Sequence, residues 1–363
     1  MRRRRVMHVV VAGDIGGAER LLVDLATRPA QTDADHEVAL MTPNRALAAY
    51  FIGAGLRVHD RGPVRENPIS YLYRNVGPVD VDWLSKLLVE RRIDVAHTHT
   101  FGSHVVGTRA ALRAGRAQIR TEHHVMHYFD PSCSLFTRWA AARTKRFVAI
   151  SEYVRAVLAR TAPAVARRCT VIRNSVDTEY WSPQQKPSTG PFRVGIVCRL
   201  TAWKRVHLAI AAASSAGVEL LVIGDGEERP RLEAVARRRG GPVRFVGHQL
   251  DPRPFIASCD VIVSAAKDEP LGLSVLESLA MERPVIAFRG GGIPEIVQDG
   301  VTGMLIDGAT EAALAEAITR LRRQSADLAR MGAAGRQFVL QQCNVTNMCS
   351  AYAELYREPS QTS

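Results

Sequence analysis

Short apolar runs recur along the chain, each followed by a turn and then by a stretch with apolar positions at helical spacing. In the first half the runs are Val6–Ala12, Val38–Met41, Leu56–His59, Ile93–His99 and Phe147–Ser151, and Arg120-Thr121-Glu122-His123-His124 closes another unit. Such runs, apolar on both faces, predict strands of a parallel sheet. Between them, Arg20–Ala26 and Asp80–Arg91 read as helices. The alternation predicts βαβ units with ligands at the carboxyl ends of the strands. It pauses near Val171–Asp177, and residues 178–191, with Pro183, Pro187, Gly190 and Pro191, read as a linker. It then restarts: strand Arg193–Cys198, helix Val206–Ala216, strand Leu220–Ile223, helix Glu228–Arg239, strand Val243–Val246, with helices closing the chain near Tyr356. The fold class is therefore α/β, with two doubly wound, Rossmann-like domains over residues 1–177 and 192–342.

The densest cluster of signals is Val261–Glu295. Val261–Ser264 reads as a buried strand, Pro270 and Gly272 punctuate the start of a helix, and Arg283-Pro284 stops it. Val285–Phe288 is the next strand, closed by Gly290, Gly291 and Gly292. Glu269 stands at the loop tip. Glu277 is the one charge between Pro270 and Met281, and helical geometry places it in the arc of Leu273, Leu276 and Ala280. A buried carboxylate without a partner costs several kcal/mol, roughly, so an arginine or a ligand hydroxyl should meet it. The amides of Gly272 and Leu273 open a helix at a strand's carboxyl end, where a phosphate is expected.

The Glu-x7-Glu of E-P-L-G-L-S-V-L-E, followed by R-P-V-I-A and G-G-I-P-E-I-V, resembles the donor site of the retaining family-four glycosyltransferases. The resemblance runs over nearly the whole chain: G-G-A-E, D-V-A-H-T-H, T-E-H-H, I-S-E, I-R-N-S-V-D, R-L-x3-K and V-I-G-D-G follow in the family's order. Arg173-Asn174-Ser175 departs from the family's usual Pro-Asn-Gly, so the hinge turn is expected to differ. The resemblance implies a GT-B fold, two such domains facing across a cleft, acceptor on the first and donor on the second. It also implies a final helix, within 343–363, that crosses back to the first domain.

Glu269 would then lie against the donor sugar, and Glu277 would hold the ribose hydroxyls. Arg199 and Lys204 would take the pyrophosphate, with Gly16, Gly17, Gly272 and Leu273 lining the donor phosphate and His248 near the base. His123 would sit beside the transferred sugar with Gly17 on the acceptor side, while His99 is either a structural residue or a cleft-edge residue on that side. Breaking a sugar–phosphate bond leaves negative charge on the nucleotide, which fixed cations and helix amides stabilise without a metal or other cofactor. The implied reaction is retaining sugar transfer from a nucleotide-diphosphate sugar, UDP ahead of GDP, to a hydroxyl of a small natural product or a lipid-linked or envelope glycan. Glu269 could act as nucleophile by analogy with hydrolases, but binding sugar hydroxyls is the preferred role.

Two other classes compete. A nucleotide-sugar 2-epimerase on the same fold would convert the donor with no acceptor present. A metal hydrolase could use His97-x-His99, with His123, His124 and His127 as further ligands, but the chain lacks the strand–helix repeat of the barrels that carry such sites. Asp33-Ala34-Asp35 and Asp80-Val81-Asp82 match the DxD pattern of metal-dependent transferases by chance, since neither directly follows a buried strand.

Composition refines this picture modestly. At 363 residues the chain suits two domains. Its six cysteines form no CxxC pair, which argues against zinc and a disulfide framework. No run reaches the roughly 20 apolar residues of a membrane span, and no signal-peptide apolar region follows Met1–Arg5, so a cytoplasmic protein is expected. The net charge of +12 lies wholly in residues 1–175, with 27 Lys and Arg against 15 Asp and Glu. That half could attract anionic lipid or a phosphorylated acceptor, whereas no nucleic-acid partner is expected. Against a membrane role, 43 of the 48 cations are Arg, a mark of base composition, and no Trp/Phe/Leu face accompanies them.

Overall fold

A computed structural model of the chain describes residues 2–11, 15–62, 73–185 and 190–357. The chain divides into two compact units, residues 1–174 with 346–363, and residues 175–345.

The first unit holds β1 (Arg4–Val10), β2 (Ala34–Leu40), β3 (Arg57–Asp60), β4 (Val95–Thr98), β5 (Ala117–Glu122), β6 (Arg146–Ala149) and β7 (Cys169–Val171). They form one parallel sheet in the order β3-β2-β1-β4-β5-β6-β7. One face packs Met7, Val9 and Ala96 against Leu84, Leu88 and Ala110 of the helices Val79–Glu90 and Phe101–Ala114. On the other, Val10, Val38 and Leu40 pack on Leu22, Leu47 and Phe51. This second face turns polar along the sheet, because the strand periodicity of two puts His8, His36, His97 and Thr121 on it as well.

The second unit holds β8 (Arg193–Val197), β9 (Glu219–Ile223), β10 (Val243–Gly247), β11 (Val261–Ser264), β12 (Val285–Phe288) and β13 (Gly303–Ile306), parallel in the order β10-β9-β8-β11-β12-β13. Val194, Ile196, Val222, Val261, Val263 and Ile286 form its core with Ile210 and Ile318 of the helices Val206–Ala216 and Glu311–Arg323. In both units the winding reverses once, between β1 and β4 and between β8 and β11. A reversal of that kind opens a crevice at the strands' carboxyl ends, the ligand position of open α/β sheets.

Two expectations fail locally. β7 lies where the pattern is read as pausing, and β13 where no strand is expected. Both are short edge strands with half-exposed residues, so their apolar signal is weak. The segment expected as a linker is, through Gln184, bound to the second unit. Trp181 is buried, Arg336 donates to the carbonyls of Thr178 and Trp181, and Arg283 donates to that of Gln184. Arginines capping backbone carbonyls order a stretch that has no helix or strand of its own. The last helix, Val345–Arg357, is grouped from Thr346 with the first unit, where Tyr356 Oη meets His97 at 2.9 Å.

Candidate active site

In the second unit two loops at the β8/β11 crevice carry the expected donor residues. The loop after β8 holds Arg199, exposed, and Lys204, half-buried with its ammonium 4.0 Å from the centre of the Trp203 ring. The loop after β11 holds Glu269. Lys204 Nζ lies 2.5 Å from Glu269 Oε2, so residues 65 apart meet at the crevice. Lys204 also lines a small pocket there, with Cys198, Ser264, Ala266, Ser274 and Val275.

Glycines fix both loops. A Cβ on Gly224 would stand 2.0 Å from the carbonyl oxygen of Cys198, and one on Gly226 2.5 Å from that of Leu200. The V-I-G-D-G turn therefore seats directly on the Arg199 loop, and Leu200 N donates to Asp225 O at 2.9 Å. Likewise, a Cβ on Gly291 would lie 2.2 Å from the Glu269 carbonyl oxygen, while Gly292 N donates to that oxygen at 2.7 Å. Side chains at these positions would drive the loops apart.

Gly272 has φ +101° and caps the helix Leu273–Ala280, whose Glu277 is 3% exposed. The helix turns Glu277 inward, as its arc predicts. Val275 N and Leu276 N both turn back to Gly272 O, so the helix begins tightly at the crevice. His248 is exposed after β10, one residue past Gly247, which bridges Gly224.

In the first unit Gly16 is the N-cap of the helix Gly17–Ala26, which starts earlier than the sequence predicts. Gly16 N donates to Glu19 Oε2 at 2.9 Å, so G-G-A-E closes its own helix start. Residues 12–14 of the preceding turn lie outside the described residues.

His99 follows β4 and is buried; His123 follows β5 and is half-buried. Their rings meet, His123 Nε2 to His99 Nδ1 at 3.4 Å. The two loops are tied by Arg120, 1% exposed, which donates to Thr100 O and to Glu122 Oε2 at 3.0 Å. Glu122 is fully buried. It also accepts from Tyr128 Oη at 2.9 Å and lies 3.3 Å from His127 Nε2. Arg120 and His127 hold its carboxyl well below the usual carboxylate range against the pull of burial. The Glu of T-E-H-H is thus a strut, and its Thr121 bonds His97 Nε2 at 2.8 Å and Tyr352 Oη at 2.9 Å.

Sequence reasoning missed His8 and His36. Their side chains join His99, with His8 Nδ1 to His99 Nε2 and His8 Nε2 to His36 Nδ1 both at 2.9 Å. A histidine inside an otherwise apolar run, M-H-V-V, was the available signal. Burial lowers the pKa of every ring in the group, to about 4 for His36 and about 3 for His123, so these imidazoles are neutral. Ring nitrogens of His8, His97 and His99 lie within 4.8 Å of one another. His97 uses both of its nitrogens on the hydroxyls of Tyr356 and Thr121. His124 is exposed and its ring packs edge-on to His127, apart from that group. The DxD aspartates are engaged by arginines: Asp33 by Arg357, Asp35 by Arg3, Asp80 by Arg61 and Arg74, Asp82 by Arg113.

Comparison with known proteins bears on the family and the fold. Residues 15–180 match the model of Glycosyltransferase Family 4, and residues 191–324 that of Glycosyl transferases group 1. The chain is 36% identical over 155 residues to the lipopolysaccharide core biosynthesis glycosyltransferase LpsE of Rhizobium meliloti, a match spanning 42% of this chain and 46% of that protein. It is 30% identical over 305 residues to the alpha-maltose-1-phosphate synthase of Mycobacterium tuberculosis, spanning 73% of this chain and 79% of that one. Among solved structures, HepE of Anabaena in complex with UDP-glucose superposes with TM-score 0.84 at 24% identity, over 97% of this chain and 98% of that one. Sucrose-phosphate synthase from Thermosynechococcus elongatus superposes with TM-score 0.85 at 21% identity, over 98% of each chain. With two doubly wound parallel sheets of the GT-B type and matches along both units, this chain belongs to the family-four, group 1 glycosyltransferases.

Proposed function

We propose that this chain transfers a sugar, with retention of anomeric configuration, from a UDP-sugar to an acceptor hydroxyl of a lipid-linked or envelope glycan or a small natural product. The observation that carries the reading is the Lys204–Glu269 pair at the β8/β11 crevice, beside the start of the Leu273–Ala280 helix and with Glu277 buried on that helix. Lys204, Arg199 and the first amides of the helix supply positive potential where the leaving diphosphate gains charge. Glu277 accepts from the ribose hydroxyls. Glu269, held by Lys204, orients the donor sugar; an ion-paired carboxylate is a weaker nucleophile, which favours attack of the acceptor from the leaving-group face. The departing phosphate then takes the acceptor proton, and no metal is required.

His123 and Gly17 serve the acceptor and the transferred sugar, and His99, buried with both ring nitrogens bonded, backs His123. HepE was crystallised with UDP and with UDP-glucose, and LpsE is named for lipopolysaccharide core synthesis; these support a uridine donor and an envelope acceptor. Among the described residues no helix is long and apolar enough to cross a membrane. The basic surplus of residues 1–175 would hold the protein at an anionic surface carrying a lipid-linked acceptor.

Titration calorimetry with UDP tests the donor assignment. Glu277→Ala should weaken UDP on the order of 100-fold, the loss of charge-assisted hydrogen bonds to two hydroxyls. Unchanged affinity would overturn it. A thermal-shift screen of nucleotide sugars identifies the donor, because a ligand that binds the folded form raises Tm. Conversion of that donor without acceptor, followed by proton NMR, would instead show an isomerase.

A further inference from the structure

Four histidines of the first unit form one line of hydrogen bonds across two neighbouring strands, β2 and β1, and the loops after β4 and β5. From the edge inward it runs Thr32 Oγ1 to His36 Nε2 at 2.8 Å, His36 Nδ1 to His8 Nε2 at 2.9 Å, His8 Nδ1 to His99 Nε2 at 2.9 Å, and His99 Nδ1 to His123 Nε2 at 3.4 Å. Each neutral imidazole has one N–H and one lone pair, so the tautomer of any ring dictates that of the next. Only two states of the line satisfy every bond. In one, every ring carries its proton on Nε2 and His123 ends in an Nδ1 lone pair; in the other, every proton is on Nδ1 and His123 ends in an N–H.

Thr32 decides between them. Its hydroxyl donates to the carbonyl oxygen of Arg28 at 3.0 Å, a group that can only accept. Having spent its proton there, Thr32 Oγ1 accepts from His36 Nε2–H, and the first state follows along the line. His97 steadies the middle: its ring lies 4.1 Å from that of His99 between centroids, pinned by Tyr356 and Thr121. His123 Nδ1, at the half-buried end, takes no hydrogen bond from the described residues.

We propose that Thr32, His36, His8 and His99 are positioning residues that fix the tautomer of His123, so that its Nδ1 meets a substrate hydroxyl as hydrogen-bond acceptor. The contact to substrate rests on the reading above in which His123 faces the sugar; the tautomer itself does not. A metal centre on the same rings fits less well. His8 Nδ1 and His99 Nε2 are 2.9 Å apart, a hydrogen bond, whereas ligand nitrogens about 2.0–2.1 Å from a tetrahedral zinc ion stand about 3.3 Å apart.

Long-range 15N–1H correlation spectra of the full chain with 15N-labelled histidine read each tautomer directly. The wild-type protein should show His123 with its proton on Nε2. Thr32→Val keeps the shape of the side chain but removes the hydroxyl, and should give His123 a mixture of tautomers, with kcat down roughly tenfold and KM for the donor unchanged. Thr32→Ser should restore the single tautomer and the rate. His8→Phe interrupts the line and should produce the same mixture, with thermal melting to confirm the fold. A His123 tautomer unaltered in both Thr32→Val and His8→Phe, or stoichiometric Zn²⁺ binding that perturbs His8, His97 and His99 together, would overturn the proposal. Loss of UDP binding by Glu277→Ala alongside an unaltered tautomer would leave the donor reading standing and remove only this inference.

Discussion

The two units place different chemistry at equivalent crevices. At β8/β11 the second unit builds with formal charge: Lys204 against Glu269, on loops that glycines press together backbone to backbone. At β1/β4 the first unit builds with neutral dipoles: five imidazoles, joined through hydroxyls of Thr32, Thr121, Tyr352 and Tyr356, behind half a sheet face that is polar. A diphosphate needs charge at a solvated rim. A sugar hydroxyl is recognised by oriented neutral donors and acceptors, and burial keeps them neutral. The winding is the same and the difference lies in what each unit buries, which under the proposed function would suit the second crevice to a diphosphate and the first to sugar hydroxyls.

Acid should separate the units most strongly. His8, His36, His97, His99, His104 and His123 all have folded pKa values below 6.5, so the unfolded chain binds their protons first. Stability from this source is complete above about pH 6.5 and is lost as pH falls, on the order of 1 kcal/mol per histidine per pH unit. In the second unit His207 shifts the same way, chiefly through burial. Urea unfolding monitored by hydrogen exchange at pH 7.5 and pH 5 should show the first unit collapsing early at pH 5 and the second scarcely moved. Equal losses in both units would break the comparison.

A smaller effect is expected from Glu122→Leu, which leaves Arg120 buried without its carboxylate and should cost about 3–5 kcal/mol in the first unit's urea transition. The donor side should still bind UDP. Smaller again is Gly291→Ala. Its φ of +61° and a Cβ 2.2 Å from the Glu269 carbonyl oxygen force the loop aside, for a destabilisation of about 1–3 kcal/mol. Donor KM should rise with the first unit's acid transition unchanged, a result that steady-state kinetics and the same urea series would check.

Much of this was legible in the chain. The runs at Val6, Val38, Val194, Val261 and Val285 announced parallel strands because side chains buried on both faces leave no polar alternation. Glu277 announced itself as a lone charge in an apolar helical arc. His8 and His36 did not, because a histidine inside an apolar run, as His8 is, is most simply read as one satisfied core side chain, and His36 lies between the charged Asp35 and Glu37. His8 bonds His36 and His99, 28 and 91 residues onward, distances in sequence that no local pattern spans. Gly224 and Gly291 looked like ordinary turn glycines for the same reason: what excludes a side chain there is the backbone of another loop.

The sequence by itself determined the alternation of elements and the two windings, and it marked Lys204, Glu269 and Glu277 as candidates for donor binding, since these follow from local periodicity and from motifs a few residues long. Only the tertiary structure decided which groups are neutral, which tautomer each ring holds and which loops clamp which. Those properties depend on burial and on hydrogen bonds between strands, and both exist only once the sheet has closed.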